Sequence, residues 1–226
     1  LFSLSNSRLF HASSISSFIL MILLTKVRNV ALQLSLHSRH SHSMRIGFDA
    51  KRAYHNNTGL GYYSRTLIQL LVDYYPENEY FLFNPKPSGK YAFRQPQITE
   101  ILPSGFPATL FRSAWRSNWV TKDIKKLGID LYHGLSHEIP VGIGKTGARS
   151  VVTIHDLIHE RYPQQYNPID VKIYTYKYKH ACKHADKIIA ISEQTKQDII
   201  DFYKIPPQKI DVCYQSCSPL FGETVT

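Results

Sequence analysis

The sequence predicts an α/β protein: a Rossmann-like parallel sheet with helices on both faces. Three observations carry that prediction. Short strand-forming runs alternate with longer amphipathic runs along most of the chain, the order expected of a parallel sheet. The strands are continuous apolar runs, as in Val151-Val152-Thr153-Ile154, which marks strands covered on both faces. Gly59, Gly61, His133, His155 and Ser192 each fall where such a run ends, and open α/β sheets bind ligands at the carboxyl ends of their strands.

The 226 residues suffice for one large domain, or one domain with an appendage. A hydrophobic content of 43% with 19% charged residues excludes a disordered chain. Cys182, Cys213 and Cys217 make no disulfide framework and fit a reducing, cytoplasmic compartment. Cys213 and Cys217 lack the second ligand pair of a zinc site. No apolar run reaches the length of a bilayer crossing.

Residues 1–43 differ from the rest. They hold no acidic residue, are rich in serine, and carry a short apolar run from Ile15 to Leu24. A signal or transit peptide has this composition. No small-residue cleavage site follows the run, and Met44 directly precedes a convincing strand. The reading adopted is an upstream, non-native or disordered extension, with the domain occupying 44–221 and an interdomain linker starting at 222–226. Without Arg8, Lys26, Arg28 and Arg39 the formal charge of +10 becomes +6. That balance suits a phosphorylated ligand or an anionic membrane surface, and no nucleic-acid partner is expected.

In chain order, Arg45–Ala50 reads as a strand and Lys51–Thr58 as a polar loop. A helix then runs to Pro76, with Thr58 as cap and Leu60, Tyr63, Leu67, Leu70, Leu71 and Tyr74 on its apolar face. Gly59 and Gly61 thus sit where a strand passes into a helix N-terminus, a place suited to close approach by an anion. Ser64 occupies the third glycine position of the dinucleotide fingerprint, so that motif is absent. Glu79–Asn84 and Ile98–Leu102 are the next strands. After Pro107 a helix is predicted through Leu127, burying Phe111, Trp115, Val120, Ile124 and Leu127 and turning Arg112 and Arg116 to solvent, with Gly128 as its stop.

Ile129–His133 is a fourth strand, leading into Gly134-Leu135-Ser136-His137. Val151–Ile154 leads into His155-Asp156. His155 can offer a hydrogen bond or a proton near neutral pH, and Asp156 either holds its tautomer or caps the turn. His155 and His159 have i, i+4 spacing, but a strand precedes them and Asp replaces the expected Glu, so no metal site is read here. Asn167-Pro168 opens a helix whose buried side is Val171, Tyr174, Tyr178, Ala181, Cys182 and Ala185. Lys172, Lys179 and Lys183, beside Ile169 and Tyr176, form an opposite basic face that fits solvent or anionic lipid. Asp186–Ser192 is a strand, Ser192 caps the helix Glu193–Tyr203, and Lys209–Tyr214 is the last strand.

Four segments resemble family 4 glycosyltransferases: Asp49-Ala50-Lys51-Arg52 with Thr58 to Arg65, Val152 to Leu157, Ala185 to Glu193, and Ile205 to Tyr214. The resemblance covers Met44 to about Phe221. It implies a GT-B architecture, two Rossmann-like domains across a cleft, of which this is the N-terminal, acceptor-side half. It implies retaining transfer of a hexose, often mannose from GDP-mannose, to a glycan or lipid-linked acceptor, with no metal or other cofactor. By resemblance His155 is the catalytic-centre residue contacting the transferred sugar. Gly59 and Gly61 line the donor phosphate, and Arg52, His133, His137, Asp156 and Ser192 lie on the acceptor or substrate side. Localisation would be cytoplasmic, including the inner face of the membrane.

The sequence departs from the family where the donor-binding half would begin, and Gln215-Ser216-Cys217 replaces the usual Asn-Gly of the linker. The expectation is a chain inactive by itself. A stand-alone carbohydrate- or phospholipid-binding module is the alternative. A Rossmann oxidoreductase is disfavoured by the missing third glycine and the lack of an acidic ribose ligand.

Overall fold

The computed structural model describes residues 43–215. All but the last residue of the expected 1–43 extension lies outside the described residues, as do Cys217 and the linker expected at 222–226. Seven strands form one sheet: β1 (Arg45–Asp49), β2 (Glu79–Phe83), β3 (Ile98–Ile101), β4 (Leu131–Gly134), β5 (Arg149–Ile154), β6 (Lys187–Ala190) and β7 (Ile210–Val212). Their order is β3-β2-β1-β4-β5-β6-β7, and every neighbouring pair is parallel. The expected Rossmann-like parallel sheet is the fold observed. The chain turns from building leftward to building rightward between β1 and β4, and a crevice forms at such a switch point.

The helices are α1 (Lys51–His55), α2 (Gly59–Tyr74), α3 (Arg112–Ala114, Trp115–Trp119 and Val120–Lys126 end to end), α4 (Ile158–Arg161), α5 (Pro168–His184) and α6 (Glu193–Tyr203). They cover both faces. On one face Phe48, Tyr80, Leu82, Leu131, Val151 and Ile189 pack against Ala53 and Tyr54 of α1 and Leu67, Ile68 and Leu71 of α2. On the other, Phe81, Phe83, Tyr132, Val152, Ile154 and Ile188 pack against Trp115 and Ile124 of α3, Ala181 and Cys182 of α5 and Ile199 of α6. Successive strand residues alternate between the two clusters, as the period of two requires. Both faces are apolar, which is why the strands read as unbroken hydrophobic runs.

Several local expectations change. Lys51–His55 is a helical turn rather than a loop, because Ala53 and Tyr54 must reach the core. The buried stripe of α2 is Gly61, Ser64, Leu67, Ile68, Leu71 and Val72, whereas Tyr74 is exposed. Thr58 occupies the cap position without a side-chain cap bond; Asn56 Oδ1 instead accepts from the backbone of Thr58 and Gly61 at 2.9 and 3.0 Å. In α3 a π turn at Trp115–Trp119 inserts one extra residue. That turn brings Trp115 and Val120 onto the buried side together, while Phe111 stays exposed. Gly128, at φ +60°, follows α3 as its stop. In α5 the cap is as read, with Asn167 Oδ1 accepting from the Ile169 backbone at 2.9 Å. Of the face read as buried, Ala181, Cys182 and Ala185 are enclosed, but Tyr174 is exposed.

Arg116 is the largest correction. It does not face solvent. Its Nε donates to both Asp49 oxygens at 3.0 Å, its Nη1 donates to Glu138 Oε2 at 2.8 Å, and its side chain is 11% exposed. Arg116 stands one residue after buried Trp115 and one turn before buried Val120, so its position on α3 belongs to the buried side.

Candidate active site

The carboxyl ends of β1, β4 and β5 are neighbours, so the segments that follow them converge on one rim. After β1 come Lys51 and Arg52; after β4, Leu135 to His137; after β5, His155 and Asp156. The Arg116 guanidinium ties the first to the second, holding Asp49 at the end of β1 and Glu138 one residue past His137. Lys177 of α5 reaches the same Glu138 carboxylate at 3.3 Å.

His155 is 6% exposed and both ring nitrogens are engaged. Nε2 lies 3.0 Å from the Leu135 carbonyl, which only accepts, so Nε2 carries the proton. The Gln215 amide then donates to Nδ1 at 2.9 Å. The His155 carbonyl accepts from Thr195 of α6 at 3.1 Å. Tyr63 and His137 stand edge-on to the imidazole at ring distances of 4.9 and 5.1 Å. Burial, with Arg52 adding to it, holds the His155 pKa below its ordinary value. The ring is therefore neutral at pH 7 and offers hydrogen bonds rather than a proton. Of the two roles open to Asp156, the structure shows the cap: Oδ1 accepts from the Ile158 backbone at 3.2 Å, and Leu135 with Gln215 holds the tautomer.

His137 sits in the left-handed region at φ +63° and stacks on Tyr178 of α5 at 4.3 Å and 3° between planes. The turn that places it is close-packed: a Cβ on Gly134 would lie 2.0 Å from the Glu138 carbonyl oxygen. The Nδ1 of His137 and the Ser136 hydroxyl are buried without a hydrogen-bond partner among the described residues. A non-glycine residue held at positive φ beside orphaned polar atoms is the kind of strain found at ligand sites.

The other sequence candidates are dispersed around this rim. His133 lies at the end of β4, as read, one residue before its last, but it is fully enclosed, with Nε2 2.9 Å from Thr153 Oγ1. Burial pushes its pKa down to about 3, so it is a neutral core residue. Thr153 also meets the Tyr63 hydroxyl at 3.1 Å, which links His133 through Thr153 to the ring that backs His155. Arg52 is half-buried and close enough to depress the pKa of both His137 and His155; among the described residues its guanidinium has no hydrogen-bond or ion-pair partner. Gly61 has its missing side chain filled, since a Cβ would lie 1.9 Å from the Asn56 carbonyl oxygen, whereas a Cβ on Gly59 meets nothing within 4 Å. Gly59 alone of the pair opens to a ligand. Ser192 caps α6, accepting from the Thr195 backbone at 3.1 Å.

Sequence reading missed Tyr63, Tyr178, Thr153, Gln215 and the Asp49–Arg116–Glu138 bridge as parts of this rim. Tyr63 and Tyr178 looked like ordinary members of apolar faces. The five-residue step from Trp115 to Val120 was the available sign of a π turn. Among the described residues no group of three metal-ligating side chains gathers. No helix there is long and apolar enough to cross a membrane.

Sheet and rim together define an open parallel α/β protein that collects its polar groups at the β1/β4 switch point. The sequence matches the model of Glycosyltransferase Family 4 over residues 58–216, and the chain belongs to that family. No curated protein matches it. Among solved structures it is similar to the apo form of the lipopolysaccharide outer core galactosyltransferase WaaB, at 18% identity and a TM-score of 0.47, over 77% of this chain and 46% of that one. The wall teichoic acid polymerase TagF is similar at 12% identity and 0.46, over 86% and 46%. A glycosyltransferase from Rickettsia africae ESF-5 is similar at 16% identity and 0.39, over 78% and 44%. The chain thus spans a little under half the length of these structures.

Proposed function

We propose that this chain is the acceptor-side half of a retaining GT-B glycosyltransferase. It serves transfer of a hexose, with mannose from GDP-mannose the first donor to try, onto a glycan or lipid-linked acceptor. One observation carries the reading: a neutral imidazole, His155, set at the switch-point rim inside the family-matched segment, with its acceptor nitrogen covered only by a side-chain amide. A sugar hydroxyl that displaces the Gln215 amide would donate to the same Nδ1. Gly59 would admit the donor phosphate, and Arg52 and His137 would face the acceptor. Asp156 and Ser192 support the rim through their caps, and His133 supports it from beneath. No metal or other cofactor is assigned.

The neutralising groups for a departing diphosphate are assigned to a second domain. Such a clamp supplies much of the rate in reactions of this kind, so residues 44–221 alone are expected to show no useful transfer. The reading places the protein in the cytoplasm. Contact with an anionic membrane, first read onto Lys172, Lys179 and Lys183 with Ile169 and Tyr176, would fall to Lys179, Lys183 and the 67% exposed Ile169, because Lys172 and Tyr176 line a cavity instead.

The test is a donor screen with GDP-mannose, UDP-glucose and UDP-galactose on the longest reading frame containing this chain. His155→Ala should lower kcat/KM about tenfold or more, the factor for a lost hydrogen bond in a buried site. An unchanged rate in that variant would remove His155 from the reaction. Binding without transfer from any donor would favour a carbohydrate-binding module.

A further inference from the structure

Beside the rim lies a cavity of about 400 Å³, bounded by the π turn of α3, the segment after β4 and one side of α5. That volume is typical of small-molecule sites. Its wall has two kinds of surface. Tyr176 presents a ring that is 67% exposed, with Ile173 at 44% beside it. Ser117, Asn118 and Lys172 line the same space with hydroxyl, amide and ammonium groups. Among the described residues none of these three side chains, nor the Tyr176 hydroxyl, has a hydrogen-bond partner. Glu138 also lines the cavity, but Arg116 and Lys177 already share its carboxylate. Lys172 is left as an uncompensated positive charge.

An exposed aromatic ring, stacked at 6.4 Å on His180 of the same wall, together with hydroxyl, amide and ammonium groups in one cavity matches a pyranose, which has an apolar C–H face and a hydroxyl edge. A lipid tail would need an unbroken apolar wall. Cavity and rim share one chain segment, since Glu138 of the cavity wall directly follows His137 and is held by the Arg116 bridge to Asp49. We propose that it is a second saccharide subsite, which takes an acidic sugar unit of an extended acceptor. The ring lies on Tyr176, its hydroxyls meet Asn118 and Ser117, and its carboxylate meets Lys172. This proposal rests on the acceptor-side reading above, and its test is separable from the transfer assay.

The probes are cellobiouronic acid and its neutral counterpart cellobiose, titrated against the whole chain by saturation-transfer NMR. The acid should bind about two- to fivefold more tightly, the factor for one exposed charge pair. Lys172→Gln should erase that preference. Tyr176→Ala should weaken both ligands about eightfold, the factor for losing about 50 Å² of apolar contact. Tyr176 is too exposed for its removal to unfold the helix. Binding that survives Tyr176→Ala but is lost in His155→Ala would put the sugar at the rim; the subsite would fall and the acceptor-side reading would stand. Equal affinity for the two probes, or binding of neither, overturns the subsite. So does a Tyr176→Ala variant that binds both probes normally but no longer binds phosphatidylglycerol vesicles, since Tyr176 would then be a lipid contact. Failure of His155→Ala to affect transfer, with cavity binding intact, would instead remove the rim assignment alone.

Discussion

Replacing Arg116 with methionine keeps an unbranched apolar stem in place of the arginine methylenes and strips the cation from between two carboxylates. The Arg116 side chain is 11% exposed, Asp49 6% and Glu138 23%. Removing one partner of a buried ion pair leaves an uncompensated charge and costs about 3–5 kcal/mol. Glu138 keeps Lys177 at 3.3 Å, so the penalty falls mainly on Asp49 and the lower end, about 3 kcal/mol, is expected. For a domain of this size that is a fall in Tm of roughly 6–12 °C, readable by circular dichroism at pH 7. Adding Asp49→Asn removes the stranded charge and should recover more than half of the loss. Arg112→Met, on the exposed side of the same helix, should stay within about 0.5 kcal/mol. A cost below about 1 kcal/mol for Arg116→Met, unchanged by Asp49→Asn, would refute the buried bridge and with it the account of how the β1 and β4 ends are joined.

Acid should destabilise the fold through its enclosed histidines. The folded pKa of His133 is about 3, so as pH falls below 6.5 the unfolded chain takes up the proton first and stability drops until about pH 3. At pH 5 His133 alone accounts for about 2 kcal/mol, and His137, also held far below its ordinary value by burial, acts in the same direction. Urea midpoints at pH 7 and 5 for the wild type and His133→Gln measure this; identical pH slopes would contradict it. The two glycines of α2 should separate. Gly61→Ala forces a Cβ to within 1.9 Å of the Asn56 carbonyl oxygen and should cost more than about 2 kcal/mol, whereas Gly59→Ala has open space and should be nearly neutral in stability. Thermal melts of the two variants decide this, and equal losses would count against the packing described.

The elements that could be read from local residues were those whose signals are local. Asn167-Pro168 and Ser192-Glu193 both form the caps their chemistry suggests, because a cap needs only the residues within one turn of it. Gly128 adopts the positive φ expected of a helix stop. The apolar runs at β4, β5 and β6 were legible because strands covered on two faces tolerate little else. The stripe of α2 was misjudged by part of a turn, since Tyr63 and Tyr74 are amphipathic and periodicity alone does not tell which edge of an apolar arc meets the sheet. Arg116 was misplaced because a charged side chain reads as solvated, while the carboxylates that allow its burial, Asp49 and Glu138, lie 67 and 22 residues away.

For the rim, the sequence by itself placed His155 at a strand end and marked Arg52 and His137 as candidates, whereas Gly59, read at a strand end too, opens α2 after the intervening α1. Strand ends follow from where an apolar run stops. It could not show that His133 is enclosed, that Gly61 is filled by Asn56, or that Gln215 covers the Nδ1 of His155. The Gly61 contact is local but depends on the exact path of the turn after α1, whereas the other two depend on which strand lies beside which, and strand order is decided by burial of both sheet faces at once. Local periodicity carries no record of a neighbour 60 residues away, whereas the packed sheet sets that neighbour 2.9 Å from the ring it orients.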